Sequence, residues 1–150
     1  MKLSILFLLV IVGANSCNKP TKVEPLPIAG TWQLVAATST AKDSTVSTFN
    51  PGVKMIKIIT ATHFAFLSHN ISTGKDSLAN AFSAGGGTYS LQDSTYTEHL
   101  EYYIDKQWEN NSFSFVIKIA GDTLVQSGVE KNEKVGVDHV IVEKYKRIGR

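Results

Sequence analysis

Glu98 is the ionisable residue whose setting points most directly to chemistry. In the run Tyr96-Thr97-Glu98-His99-Leu100-Glu101-Tyr102-Tyr103-Ile104, a two-residue period puts Tyr96, Leu100, Tyr102 and Ile104 on the face of Glu98. Thr95, Thr97, His99, Glu101 and Tyr103 fall on the other face. If the apolar face is the inner one, Glu98 is an interior carboxylate, and such a group needs a partner or keeps its proton. His63 or a tyrosine hydroxyl could supply that partner. The other reading leaves Glu98 as a carboxylate at a rim or on the surface.

No second group completes a reactive set. The histidines are His63, His69, His99 and His139, on separate candidate strands or loop ends. None makes a His-x-His or His-Glu-x-x-His pair, so no metal site and no cofactor are assigned. There is no Gly-x-Ser-x-Gly turn to present a nucleophile. Gly85-Gly86-Gly87 could be read as a phosphate loop, but no strand–loop–helix follows it, and a flexible start to a strand is the plainer reading. No catalytic residue is assigned, and the expectation is a protein that binds rather than an enzyme.

The elements that must position these residues are strands. From Ile28 onward Val, Ile, Thr, Phe and Tyr recur between short turn clusters, with no helical periodicity. The predicted strands are Gly30–Thr38, Val53–Thr60, Thr62–Asn70, Gly86–Leu91, Thr95–Ile104, Ser112–Ala120, Thr123–Glu130 and His139–Arg147. The short connections at 92–94, 105–111, 121–122 and 131–138 imply antiparallel neighbours. Eight such strands can close into an up-and-down barrel, which removes the free edges of an open sheet. Phe113, Phe115, Ile117 and Ile119 share one face, as do Trp32, Leu34 and Ala36. Phe64 and Phe66 oppose His63, Ala65 and Leu67. The stretch from Val53 to Thr60 does not alternate clearly. Segment 71–85 reads as a short helix or a flap over a barrel mouth.

The chain has 150 residues, room for one domain of this kind. Fifteen basic against thirteen acidic residues give +2, too slight an excess to argue for nucleic acid. Seven Phe, five Tyr and two Trp would suit an apolar interior holding one small hydrophobic or amphipathic ligand. Phe64, Phe66, Tyr89, Tyr96, Glu98, Tyr102, Phe113 and Phe115 are the expected lining. The competing reading is a solid barrel whose loops 39–52, 71–85 and 105–111 contact a protein of the cell envelope. Ala36, Ala65 or Gly86 pointing inward would favour the carrier.

Residues 1–16 read as an export signal: Lys2, then an apolar run from Leu3 to Val12, then small residues. The run is shorter than the ~20 apolar residues of a membrane-spanning helix. Ala14-Asn15-Ser16-Cys17 resembles a relaxed bacterial lipobox. That resemblance implies cleavage before Cys17 and acyl chains, palmitate among them, on this sole cysteine. Two or more chains give stable anchoring. Residues 17–27 then form a proline-rich tether. The expected location is the bacterial envelope, on the outer membrane facing the periplasm.

Gly30-Thr31-Trp32 opens the first strand directly after the tether. This resembles the Gly-x-Trp signature of lipocalin-like (calycin) barrels. With Thr62-His63-Phe64, Gly86-Gly87-Thr88-Tyr89 and the stretch from Tyr96 to Tyr102, residues 28–148 resemble small bacterial lipocalin-like lipoproteins of undefined function. The resemblance implies a β-barrel with Trp32 closing its floor beneath a basic residue of the last strand. Lys144, Lys146 and Arg147 are the candidates, with Arg147 grouped with Gly30 and Trp32. Asp43-Ser44, Asp76-Ser77, Asp93-Ser94 and Asp122-Thr123 resemble an O-glycosylation sequon of exported bacterial proteins, with Ser44, Ser77, Ser94 and Thr123 as acceptors. The same pairs are also good turn formers.

Overall fold

A computed structural model describes residues 27–71 and 81–149. The expected export signal, Cys17, all of the expected tether but Pro27, and residues 72–80 of the expected helix or flap, Ser77 among them, lie outside the described residues. The strands are β1 (Gly30–Ala41), β2 (Ser44–Ser47), β3 (Val53–Ile59), β4 (His63–Asn70), β5 (Phe82–Gln92), β6 (Thr95–Tyr103), β7 (Asn111–Ala120), β8 (Thr123–Asn132) and β9 (Val137–Ile148). Each pairs antiparallel with its neighbours, and β1 also pairs with β9, from Thr31↔Ile148 to Thr40↔Val140. That seam closes eight strands into a barrel. The ninth, β2, is a short flank added to the far end of β1. All eight predicted strands are present, and the all-β antiparallel barrel is the observed architecture.

Turn chemistry sets the tight connections. Lys42 and Asp43 both have positive φ, at 47° and 65°, as the two-residue β1–β2 hairpin requires. Asp93 at the β5–β6 turn has φ 54°, and Asp tolerates that conformation better than most residues.

Two bulges reset the pattern of sides. In β1, Leu34 faces Tyr145 but Ala36 faces Lys144, so Val35 is the extra residue. Beyond it the parity flips: Ala37 is buried and Ala36 is exposed, against the expectation that Ala36 continues the face of Trp32. In β6, Gly86 faces Tyr102 and Gly87 faces Leu100, so Glu101 is extra. A Cβ on Gly87 would lie 1.9 Å from the His99 carbonyl oxygen, which is why glycine stands at the bulge. The glycine run therefore sits in the middle of β5, which begins at Phe82 rather than Gly86. It is neither a phosphate loop nor the start of a strand. Residues 82–85 of the expected helix or flap belong to this strand.

The core is continuous along the barrel axis, with Trp32, Tyr96, Phe115, Ile117, Leu124 and Tyr145 almost wholly buried. At the floor, the Trp32 indole N–H donates to the Ile28 carbonyl at 2.8 Å. The Arg147 guanidinium lies 4.0 Å from the centroid of the Trp32 ring. It also donates to the carbonyls of Ala29 and Pro27, each at 2.7 Å. Among the three candidates Arg147 is the residue over the tryptophan; Lys144 and Lys146 point outward. Gly30 has φ 144°, and a Cβ there would meet Arg147 Nη1 at 2.3 Å. Glycine at this position makes room for the arginine.

Candidate functional site

Strands β3, β6 and β8 each send one polar side chain into the centre of the barrel. Lys57, Glu98 and Gln126 are 3%, 8% and 2% exposed. Lys57 Nζ donates to Glu98 Oε1 at 2.8 Å and to Gln126 Oε1 at 3.0 Å. Three rings surround the ammonium: Tyr145 at 5.4 Å, and Phe64 and Tyr96 at 6.0 Å from their centroids. Burial alone pulls the Lys57 pKa down, but the carboxylates of Glu98, Glu143 and Glu130 more than offset it, so the ammonium is held above its ordinary range. Glu98 is thus an interior carboxylate, and its partner is Lys57. Of the two expected partners, His63 faces outward and bonds the Thr62 hydroxyl at 2.7 Å, whereas a tyrosine hydroxyl, that of Tyr96, does interact with Glu98.

The tyrosines beside this triad stay protonated. Burial, with Glu98 adding to it, pushes the Tyr96 hydroxyl far up. Tyr145 is raised by burial and by Glu143, whose Oε2 accepts its hydrogen bond at 2.7 Å. The Tyr96 hydroxyl makes no well-formed hydrogen bond, and Glu98 is the acceptor it interacts with.

Above the triad, toward the end where β6 meets β7, lies a half-enclosed cavity of about 350 Å³. Phe66, Tyr103, Trp108 and Phe113 supply its aromatic wall, and Leu100 and Val137 its aliphatic part. Glu98 lines it from below. Glu130 and His139 line its side, paired across β8 and β9, with His139 Nε2 and Glu130 Oε2 at 2.8 Å. Trp108 arrives from the β6–β7 loop, and its ring contacts Tyr103 and Phe113 with centroids 6.5 and 6.0 Å apart. Asn111 Nδ2 donates to the Trp108 carbonyl at 2.8 Å, and Asn132 Nδ2 donates to the Gln107 carbonyl at 3.0 Å. These bonds tie the loop that carries Trp108 to the ends of β7 and β8.

Of the expected lining, Phe66, Glu98 and Phe113 reach the cavity. Phe64, Tyr96 and Phe115 sit deeper in the core, and Tyr89 packs on Tyr96 with its hydroxyl on the Thr60 carbonyl. Tyr102 is a correction: the Glu101 bulge turns it outward, 68% exposed, and brings Tyr103 in instead. Ala36, Ala65 and Gly86 take the outer side of their strands, so the inward placement that would have favoured the carrier over a solid barrel is not observed.

On the outer face the small residues do something else. Ala65, Ala84 and Gly86 floor an open apolar trough of about 610 Å³, walled by Leu67, Phe82 and Tyr102. Of the possible glycan acceptors, Ser44 and Ser94 stand exposed beside hairpin turns. The Thr123 hydroxyl accepts a bond from Lys146 Nζ at 2.7 Å. Among the described residues no group of three or more His, Cys, Asp or Glu side chains is arranged to hold a metal ion.

Residues 27–150 match the family model described as a domain of unknown function, DUF4488. The match covers the whole barrel, and the chain belongs to this family. No curated protein matches the chain. The closed antiparallel barrel, with its Gly-x-Trp floor under an arginine, fits a lipocalin-like fold.

Proposed function

We propose that this DUF4488 member is a non-catalytic carrier that holds one small amphipathic molecule inside its barrel. The observation that carries this reading is the 350 Å³ cavity with an aromatic wall and a few convergent polar groups, the usual composition of a small-molecule site. We further propose that the mature protein is a lipoprotein of the bacterial envelope, anchored through acylated Cys17 and facing the periplasm. The apolar run before this sole cysteine supports that part of the reading. Cleavage and acylation are tested by the intact mass of the protein extracted from membranes, against that of a Cys17→Ser variant.

Native mass spectrometry of the purified protein, followed by extraction of whatever is bound, tests the carrier. The expected result is a small molecule released on denaturation and absent from a Val137→Phe variant that narrows the cavity. A clean apo mass, with no thermal shift across a panel of lipids and small hydrophobes, would count against it. A second reading, a protein-interaction module, is favoured by the apolar trough over β4, β5 and β6. A bound molecule that survives Val137→Phe but is lost in Tyr102→Ser would move the site to that outer face.

A further inference from the structure

We infer that the molecule held in the cavity carries a positively charged, hydrogen-bond-donating head, such as a primary amine, on an apolar body. This rests on the carrier reading above and adds the chemistry of the ligand. A carboxylate head, as on a fatty acid, needs a cation to receive it. The interior lysine is not free to do so. Lys57 is 3% exposed, is bonded to Glu98 and Gln126, is sheathed by three aromatic rings, and does not line the cavity. The other basic side chain at the wall is His139, already engaged by Glu130 at 2.8 Å.

The charged atoms that the cavity does present are carboxylate oxygens. Glu98 is more than nine-tenths buried and yet lines the space. Its ion pair uses Oε1, and the pair at Glu130 uses Oε2. Each carboxylate can accept several hydrogen bonds, so both Glu98, beside the Tyr96 hydroxyl, and Glu130 keep capacity for a further donor. Glu143, whose negative charge is felt at Lys57, adds to the same field. Three carboxylates against one lysine and one histidine leave the interior negative whether or not His139 is protonated. The rest of the wall is largely aromatic, Phe66, Tyr103, Trp108 and Phe113, and an aromatic ring offers a cation its face. An ammonium group would therefore gain from the carboxylates and find rings to pack on, whereas a carboxylate would be repelled by the like charges.

The test compares octylamine, octanol and octanoate, which share one apolar chain, by calorimetric titration of the purified protein at pH 7 and fixed ionic strength. The expected order is amine, then alcohol, then carboxylate, with the amine bound about tenfold or more tighter than the alcohol. Glu130→Gln should remove several-fold of the amine's preference over octanol. This residue lies at the side of the cavity, so the variant keeps the Lys57–Glu98 pair. Equal binding of the three probes, or octanoate bound best, would overturn the inference and leave the carrier standing. Binding of none of the three would count against both.

Discussion

The buried Lys57–Glu98 pair allows a quantitative test of how the barrel is held together. In Lys57→Met the ammonium is removed, and a carboxylate that is 8% exposed loses its counter-ion while Gln126 Oε1 loses its donor. Breaking a buried pair from one side costs about 3–5 kcal/mol, because the remaining charge stays desolvated. With a urea slope of about 2 kcal/mol/M, the unfolding midpoint should fall by roughly 1.5–2.5 M. The double variant Lys57→Met/Glu98→Met removes both charges and fills the space with apolar atoms. It should recover most of that loss, since replacing a whole buried pair is often neutral or stabilising. The assay is equilibrium urea unfolding, followed by tryptophan fluorescence and circular dichroism. A single variant within 1 kcal/mol of the parent, on the order of ordinary surface changes, would refute the reasoning. So would a double variant no more stable than the single one.

Two further predictions concern the same interior. Tyr96→Phe removes a buried hydroxyl that makes no well-formed hydrogen bond, so it should be close to neutral, whereas Tyr145→Phe breaks the 2.7 Å bond to Glu143 and should destabilise by about 1 kcal/mol; parallel thermal melts decide this. Lys57, Tyr96 and Tyr145 all hold their protons in the native state to higher pH than in the unfolded chain, where they titrate near 10.5, 10.0 and 10.0. The native state then binds more protons above about pH 10, so stability is fully present below that and falls as pH rises through the native values. Urea midpoints should hold between pH 7 and 9 and drop above 10. A midpoint unchanged at pH 11 would contradict this.

Where one face of a strand is plainly apolar, the sequence was enough to read the fold. Phe113, Phe115, Ile117 and Ile119 in β7 are the clearest case, and turn residues at the hairpins located the ends of several strands. The site was only partly legible. In β3, Met55 and Ile59 share a face with Lys57 while Ile56 and Ile58 take the other, so both faces look apolar and the lysine looks like a break in the pattern. Its burial is intelligible only once Glu98 and Gln126 from two other strands stand beside it. The bulges at Val35 and Glu101 are invisible to a strict two-residue count, which is why Ala36 and Tyr102 were placed on the wrong side. Trp108 comes from a loop, where periodicity says nothing. The Glu130–His139 pair depends on the register of the β8–β9 hairpin, which runs two residues further on each side than the predicted strands.

The seam between β1 and β9 has a consequence for how the chain must fold. Arg147 bonds carbonyls 118 and 120 residues earlier in the chain, and the seam runs for most of the length of both strands. Without β9 the same chain is a curled sheet with β1 and β8 as unpaired edges, open to pairing with another molecule. Closure therefore waits for Val137–Ile148 to be synthesised. Because it joins the first and last of the described strands, it also carries the largest loop entropy. The effect of losing β9 is then out of proportion to its length: the remaining strands can build every other hairpin and never become a closed vessel.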